Sequence, residues 1–295
     1  MPTTVMPIFT FTTDPIVKRL RWAMLGIMLF SVINTLSGQP GSFWHHPETA
    51  IRGDGLSIYN ETNSTFNFFL GYGWLPYLIT SLIYLSVALL LVSILSRKIA
   101  LVAMFSIIFG HYFGATNWLA VRWHLGINSS NIYGLVVAPV IVFSAFPTIS
   151  SNSDQIIKRI RWVMLVPMLL DMINTLIGQP PSYWLHSETV HEANEISRFF
   201  LIHGWYAYVL WSVFYFSGIF WLVLILQRRL AFICIFYFTL GHFVGASNWF
   251  FYEWRMGMET PAIFGVVLSI LITLVAFQTH DKTTAQNLLS NEVAA

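Results

Sequence analysis

The stretch FLGYGWLPYLITSLIYLSVALLLVSIL, residues 69–95, contains no charged side chain in 27 positions. The hydrocarbon core of a bilayer is about 30 Å thick, and about 20 apolar residues in a helix cross it. The rest of the chain is similar, because 56% of its 295 residues are hydrophobic and only 9% are charged. Soluble domains carry roughly 25% charged residues. The sequence therefore predicts an all-α membrane protein in contact with the lipid bilayer.

Other apolar stretches of spanning length occur along the whole chain. We expect eight transmembrane helices, near residues 20–37, 69–95, 99–121, 132–147, 160–177, 201–226, 230–252 and 262–278. The single cysteine, Cys234, excludes an intrachain disulfide and a cysteine-rich zinc site. A net charge of +2 without a basic stripe is not typical of nucleic-acid binding, and we expect no nucleic-acid partner.

Basic residues predict the orientation of these helices. Eleven of the fifteen Lys and Arg side chains precede the first and fifth spans, lie between the second and third or the sixth and seventh, or follow the last. Only Arg52, Arg122, Arg198 and Arg255 lie on the other side. Short loops rich in Lys and Arg stay in the cytoplasm. We therefore expect a multi-pass protein of the plasma or inner membrane with both termini cytoplasmic.

The second half of the sequence repeats motifs of the first. Residues 34–49, NTLSGQPGSFWHHPET, return at 174–189 as NTLIGQPPSYWLHSET, identical at 11 of 16 positions, and FGHYFGATNW at 109–118 returns as LGHFVGASNW at 240–249. These repeats predict two tandem four-helix units, residues 1–150 and 151–281, and a short polar cytoplasmic tail, 282–295. Units with four spans run the same way through the membrane, so a pseudo-twofold axis along the membrane normal is expected.

Both units keep a His-x-Glu pair after the first span, His46 with Glu48 and His186 with Glu188. Histidine and carboxylate ligands suit zinc, copper or iron. The pairs are expected to lie at the depth of Gln39 and His111 in one unit and of Gln179 and His242 in the other. This pattern predicts a metal site or a site for a small polar ligand in each unit. A solvated interfacial loop is the alternative.

His111 and His242 recur at equal depth in the outer half of the third and seventh spans. Ionisable residues at such depth are rare and usually face a bundle interior or a cavity. Both are candidate cofactor ligands, and across a twofold axis they could bind one haem iron from two sides. The alternative is a neutral histidine hydrogen-bonded to a neighbouring helix. The cofactor therefore stays unassigned between a transition metal and haem.

Polar residues also form stripes on the spans, and the second unit alone has an acid there, Asp171. A carboxylate at that depth is costly when charged, so we expect it to be protonated, paired or in contact with water. Gly110 with Gly114, and Gly241 with Gly245, predict close helix contacts. The polar intramembrane candidates are Asn34, Gln39, Asn117, Asp171, Asn174, Gln179 and Asn248.

Three functions fit these patterns. The preferred one is a multi-pass protein with paired outward-facing sites for a metal or a small polar ligand. The second is a solute or ion transporter that uses Asp171 for coupling. The third is a structural subunit with partners in a larger membrane complex. No serine nucleophile elbow and no HExxH motif is present, so no reaction is assigned.

Overall fold

The computed structural model describes residues 14–49, 64–126, 128–147, 153–257 and 259–277, and the elements that form in these ranges are all helical. The long and medium helices are α1 (Pro15–Ser37), α2 (Ser64–Gly71), α3 (Trp74–Ile94), α4 (Arg97–Arg122), α5 (Asn128–Ala145), α6 (Ser153–Ile177), α7 (Glu195–Ile202), α8 (Trp205–Ile225), α9 (Arg228–Asn248) and α10 (Glu259–Phe277). Short 3-10 helices lie at Gly41–Trp44, Pro47–Thr49, Pro181–Trp184 and Ser187–Thr189.

Seven of these helices in the described part of the chain are long and apolar enough to cross a membrane: α3, α4, α5, α6, α8, α9 and α10. They confirm the prediction of a multi-pass, all-helical membrane protein. Helix α1 has 23 residues, and its length of about 34 Å at 1.5 Å per residue would suffice. It is not among the seven. The eighth span, near residues 20–37, stays a prediction.

Two predicted span boundaries were wrong. The stretch 69–95 contains a break, because α2 ends at Gly71 and α3 begins at Trp74. The stretch 201–226 is broken in the same way between α7 and α8. Gly73 and Gly204 turn the chain at these breaks with φ of 115° and 109°, a conformation that side chains with a Cβ disfavour. Only α3 and α8 thus have spanning length here.

Helices α4 and α9 form the centre of the bundle. Their phenyl rings meet directly, Phe109 with Phe243 at 4.8 Å and Phe105 with Phe236 at 6.1 Å between centroids. These two ring pairs follow the same order along both helices, so α4 and α9 run in the same direction. By contrast, α3 and α8 lie at the periphery and expose large apolar side chains such as Leu90 and Phe214.

The last helix of each half packs on the third long helix of the other half. Helix α5 lies against α9, and α10 lies against α4. Helix α1 packs on α4, and α6 packs on α9. One continuous cluster of buried side chains, which includes Met24, Phe109, Met164 and Phe243, therefore joins the two halves.

Ten of the thirteen Lys and Arg residues in the described ranges lie at one end of the bundle. At the end where α1, α4, α6 and α9 begin, Asp14 pairs with Arg97 and Asp154 pairs with Arg228, each at 2.7 Å. We call this the basic end, and the opposite end the loop end. At the loop end α4 stays α-helical to Arg122, whereas α9 continues past Asn248 as a π-helical segment, Trp249–Glu253.

Candidate functional site

The side chains of Asp171 on α6 and His242 on α9 form a hydrogen-bonded pair. Nδ1 of His242 lies 2.8 Å from Oδ2 of Asp171, and the two side chains are 19% and 21% exposed respectively. The distance is typical of a hydrogen bond. An acid at this depth was expected to be protonated, paired or in contact with water, and the structure pairs it. The remaining exposure shows that the pair is not sealed within the bundle.

This exposure is toward a cavity of about 740 Å³ in the loop-end half of the bundle. Its walls come from α6, α8 and α9, from the segment before α7, and from the junction of α4 and α5. Pockets for small molecules usually measure about 300–1,000 Å³. In the described part of the chain its lining includes neither Lys nor Arg but three carboxylates and two imidazoles: Asp171, Glu192, Glu253, His191 and His242.

Glu192 lies in the non-helical segment before α7 and lines the cavity. Its Oε1 accepts a hydrogen bond from the backbone N–H of Asn194 at 2.7 Å. Burial raises the pKa of Glu192 to about 7, and the nearby charge of Asp171 acts in the same direction. No motif distinguishes this residue, because its neighbours in space come from α6 and α8, far away along the chain.

Aromatic rings line the cavity around this pair. The ring of His242 lies 6.1 Å from that of Tyr215 and 5.9 Å from that of Phe216. Trp211 stacks at 4.6 Å on Phe200, and Trp211 also lines the cavity. The site therefore combines acidic groups with ring faces.

Gln179 holds the segment before α7 over this cavity. Its Nε2 donates to the backbone oxygens of Thr175 at 2.8 Å and of His191 at 3.0 Å, and its Oε1 accepts from the backbone N–H of His191 at 2.8 Å. Next to it, the side chain of His191 lies 3.4 Å from Glu253. Gln179, which lies between Gly178 and Pro180 just after α6, thus positions the rim of the cavity.

The matching region of the first half is arranged differently. Position 31, which corresponds to Asp171, is a serine, and the ring of His111 lies 5.9 Å from that of Tyr84 on α3. Position 122 corresponds to Glu253 and is an arginine, whose Nε donates to the backbone oxygen of Gly38. The acid of the hydrogen-bonded pair and the acid at the rim are therefore confined to the second half.

Asn34 and Asn174 occupy equivalent contacts between helices. Nδ2 of Asn34 donates to the Ala115 backbone oxygen at 3.3 Å, and Nδ2 of Asn174 donates to that of Ala246 at 3.2 Å. Trp123 Nε1 also donates to Oδ1 of Asn34 at 2.8 Å. Both asparagines are buried, so they join α1 to α4 and α6 to α9. Gln39 is buried as well, and its Nε2 donates to the Thr35 backbone oxygen at 3.3 Å.

The structure does not assemble the metal ligands expected from the His-x-Glu pairs. His46 lies 3.1 Å from Glu48 and His186 lies 3.4 Å from Glu188, but these four side chains are 66–71% exposed. In the described part of the chain, no group of three or more His, Cys, Asp or Glu side chains is placed to hold a metal ion. His46 and Glu48 therefore form a local pair on the surface and do not share a site with His111.

A shared haem iron does not fit the placement of the two intramembrane histidines. Helices α4 and α9 do face each other, but through Phe109 and Phe243. His111 lies against Tyr84 of α3, whereas His242 lies against Asp171 of α6 and the rings of α8. The imidazoles thus lie against different helices, with phenyl rings between α4 and α9.

The prediction of close helix contacts was wrong for three of the four glycines. A Cβ added at Gly110, Gly114 or Gly241 would meet no atom of another element within 4 Å. Gly245 differs, because a Cβ there would collide with the carboxylate of Asp171.

The polar candidates Asn117 and Asn248 line the cavity. Oδ1 of Asn248 is buried without a hydrogen-bond partner among the described residues.

Comparison of the chain with protein-family models, with curated proteins and with solved structures gives no match. The site is therefore interpreted from its own geometry.

Proposed function

We propose that this multi-pass membrane protein binds a small polar molecule in an outward-facing cavity of its second half. The observation that carries this proposal is the Asp171–His242 pair, which is about one-fifth exposed within a cavity of about 740 Å³. The proposal includes the arrangement expected from the repeats: two tandem four-helix units with both termini in the cytoplasm. The loop end of the bundle then faces outward.

A pair that only joined α6 to α9 would be expected to be enclosed by packed side chains. A charged pair that is desolvated without further partners contributes little to stability, because the desolvation cost offsets the attraction. Here the pair keeps contact with a cavity whose size suits a small molecule. Intramembrane acids that face cavities commonly mark ligand or ion pathways. Binding therefore accounts for both the position and the exposure of Asp171.

Sequence differences between the two halves favour a single binding site, built mainly by the second half. At equivalent positions the first half has Ser31 and Arg122, and the second has Asp171 and Glu253. The π-helical segment Trp249–Glu253 occurs next to the cavity, whereas α4 continues regularly to Arg122. π-helical turns within α-helices are frequent at functional sites. We propose that the first half retains the scaffold and the second half binds the ligand.

A thermal-stability screen of the purified protein in detergent tests this proposal. The panel should contain small neutral, acidic and basic solutes. At least one class should raise the melting temperature of the wild type, and Asp171→Ser, which copies the first half, should remove that increase. Ser31→Ala is the matched control and should leave it unchanged. A panel without any stabilising solute, or stabilisation that Asp171→Ser leaves intact, contradicts the proposal.

A second candidate function is transport across the membrane. The cavity lies at the loop end, and on the other side of Asp171 the core of α6 buries Met164 and Met168 completely. This is the arrangement of a site accessible from one side only, as alternating access requires. Uptake of the stabilising solute into proteoliposomes tests it. Asp171→Asn should abolish uptake, and unchanged flux argues against coupling through this acid.

A further inference from the structure

We infer that the molecule bound in this cavity is a small organic cation, held by the carboxylate of Asp171 and by the faces of the surrounding aromatic rings. This inference rests on the proposed binding function and names its ligand class. Three properties of the cavity support it: the sign of its charge, its free hydrogen-bond acceptors and the nature of its walls.

The charge of the lining favours a cation. Among the described residues, Asp171, Glu192 and Glu253 line the cavity without any Lys or Arg. The imidazoles of His191 and His242 are positively charged only when protonated. The charge of Asp171 already reaches Glu192, whose pKa it helps to raise. A second negative charge brought in by an anionic ligand would add to this repulsion. A cation would instead relieve it, because low-dielectric walls strengthen the attraction between opposite charges.

The hydrogen-bonding groups favour a cation as well. His242 engages Oδ2 of Asp171, and no described residue donates to Oδ1. Oδ1 of Asn248 is buried without a partner among the described residues, and Asn248 lines the same cavity. A buried acceptor without a donor destabilises a protein. Oδ1 of Asp171 is also free to accept a hydrogen bond from a positively charged or N–H-bearing group.

The walls favour an organic cation over a metal ion. Tyr215 and Phe216 lie about 6 Å from the ring of His242, beside the carboxylate. Ring faces attract alkylammonium groups within about 6 Å of the ring centroid. Metal ions such as Ca²⁺ and Mg²⁺ instead need six or more oxygen ligands. No group of three potential ligands is assembled among the described residues.

The test compares choline with 3,3-dimethyl-1-butanol, a neutral molecule of the same shape in which carbon replaces the nitrogen. Binding to the detergent-purified full-length protein is measured by isothermal titration calorimetry. Choline should bind at least about tenfold more tightly than the alcohol. Asp171→Asn should weaken choline binding at least about tenfold, since it removes a desolvated charge partner. Ser31→Ala should bind choline like the wild type.

A second variant covers the case in which Asp171→Asn does not fold. Tyr215→Leu keeps the charges of the cavity but removes one ring face, and it should weaken binding of tetramethylammonium about fivefold. Equal affinity for choline and the neutral alcohol would overturn the inference. Unchanged choline affinity in Asp171→Asn would also overturn it. The same holds if neither choline nor tetramethylammonium binds at about 10 mM, a concentration that largely occupies even a site with a millimolar Kd.

These outcomes separate the inference from the proposed function. If neutral or acidic solutes stabilise the wild type in an Asp171-dependent way while both ammonium probes fail, the cavity binds a ligand of another class. If no solute of any class binds, the binding function itself is contradicted. Choline binding that depends on Asp171 supports both.

Discussion

Replacement of Gly245 by alanine is the sharpest test of how the second half accommodates its acid. A Cβ at this position would lie 2.5 Å from both carboxylate oxygens of Asp171. Ordinary contacts between such atoms are about 3.5 Å. The equivalent glycine of the first half is Gly114, where an added Cβ would meet nothing within 4 Å, and the position equivalent to Asp171 is Ser31. Gly114→Ala is therefore the matched control.

The expected magnitude follows from the hydrogen bond that the new methyl group displaces. A shift of about 1 Å would restore normal contact with the carboxylate. The same shift would lengthen the 2.8 Å bond from His242 beyond hydrogen-bonding distance. Hydrogen bonds to charged groups contribute about 1.5–3 kcal/mol. Alanine in a helix regains about 1 kcal/mol relative to glycine. Gly245→Ala should therefore destabilise the protein by about 0.5–2 kcal/mol, whereas Gly114→Ala should stabilise it slightly.

Thermal unfolding in detergent measures the melting temperatures of the two variants. These should differ by several °C, if the relation between stability and melting temperature in soluble domains of similar size applies. The double variant Asp171→Ser with Gly245→Ala removes the carboxylate that the new methyl group would meet, so it should unfold less readily than the sum of the two single effects predicts. Such a cycle isolates the contact between the two positions. Equal melting temperatures for Gly245→Ala and Gly114→Ala, or strictly additive effects in the double variant, would refute the reasoning.

Three other perturbations follow from the site. Burial raises the pKa of Glu192 to about 7, which means that the folded protein holds this proton more tightly than the unfolded chain does. The resulting stabilisation is complete at low pH and is lost as the pH rises from about 4.5 through 7. Melting temperatures from pH 4.5 to 8 should show this decline in the wild type and a smaller one in Glu192→Gln; parallel curves contradict it. Gln179→Ala removes the bonds to the His191 backbone and should speed amide exchange in the segment before α7, while the exposed Gln227→Ala should not. Replacing both exposed residues His46 and Glu48 by alanine should leave the melting temperature unchanged, and a measurable fall indicates a role that their surface pair does not explain.

The membrane character of this protein was readable from the sequence. Transfer of apolar residues into lipid adds up along consecutive positions, so run length and charge content suffice to identify spans. The sequence also showed that Asp171 lies within an apolar span and must be accommodated there. A carboxylate within a span is costly whatever its partner, so it required pairing, protonation or a cavity before any neighbour was known. Gln179 was also among the polar residues that the sequence predicted to matter.

The partners of these residues were decided by the tertiary structure alone. His242 lies 71 positions from Asp171, and which faces of α6 and α9 meet depends on side-chain packing across the bundle. Helices that are apolar around their whole circumference have no periodic pattern from which such a rotation can be read. For the same reason the sequence predicted His46 and His111 to converge, although one lies on the surface and the other lies against Tyr84. Glu192 entered the site only because folding brings its segment over the cavity.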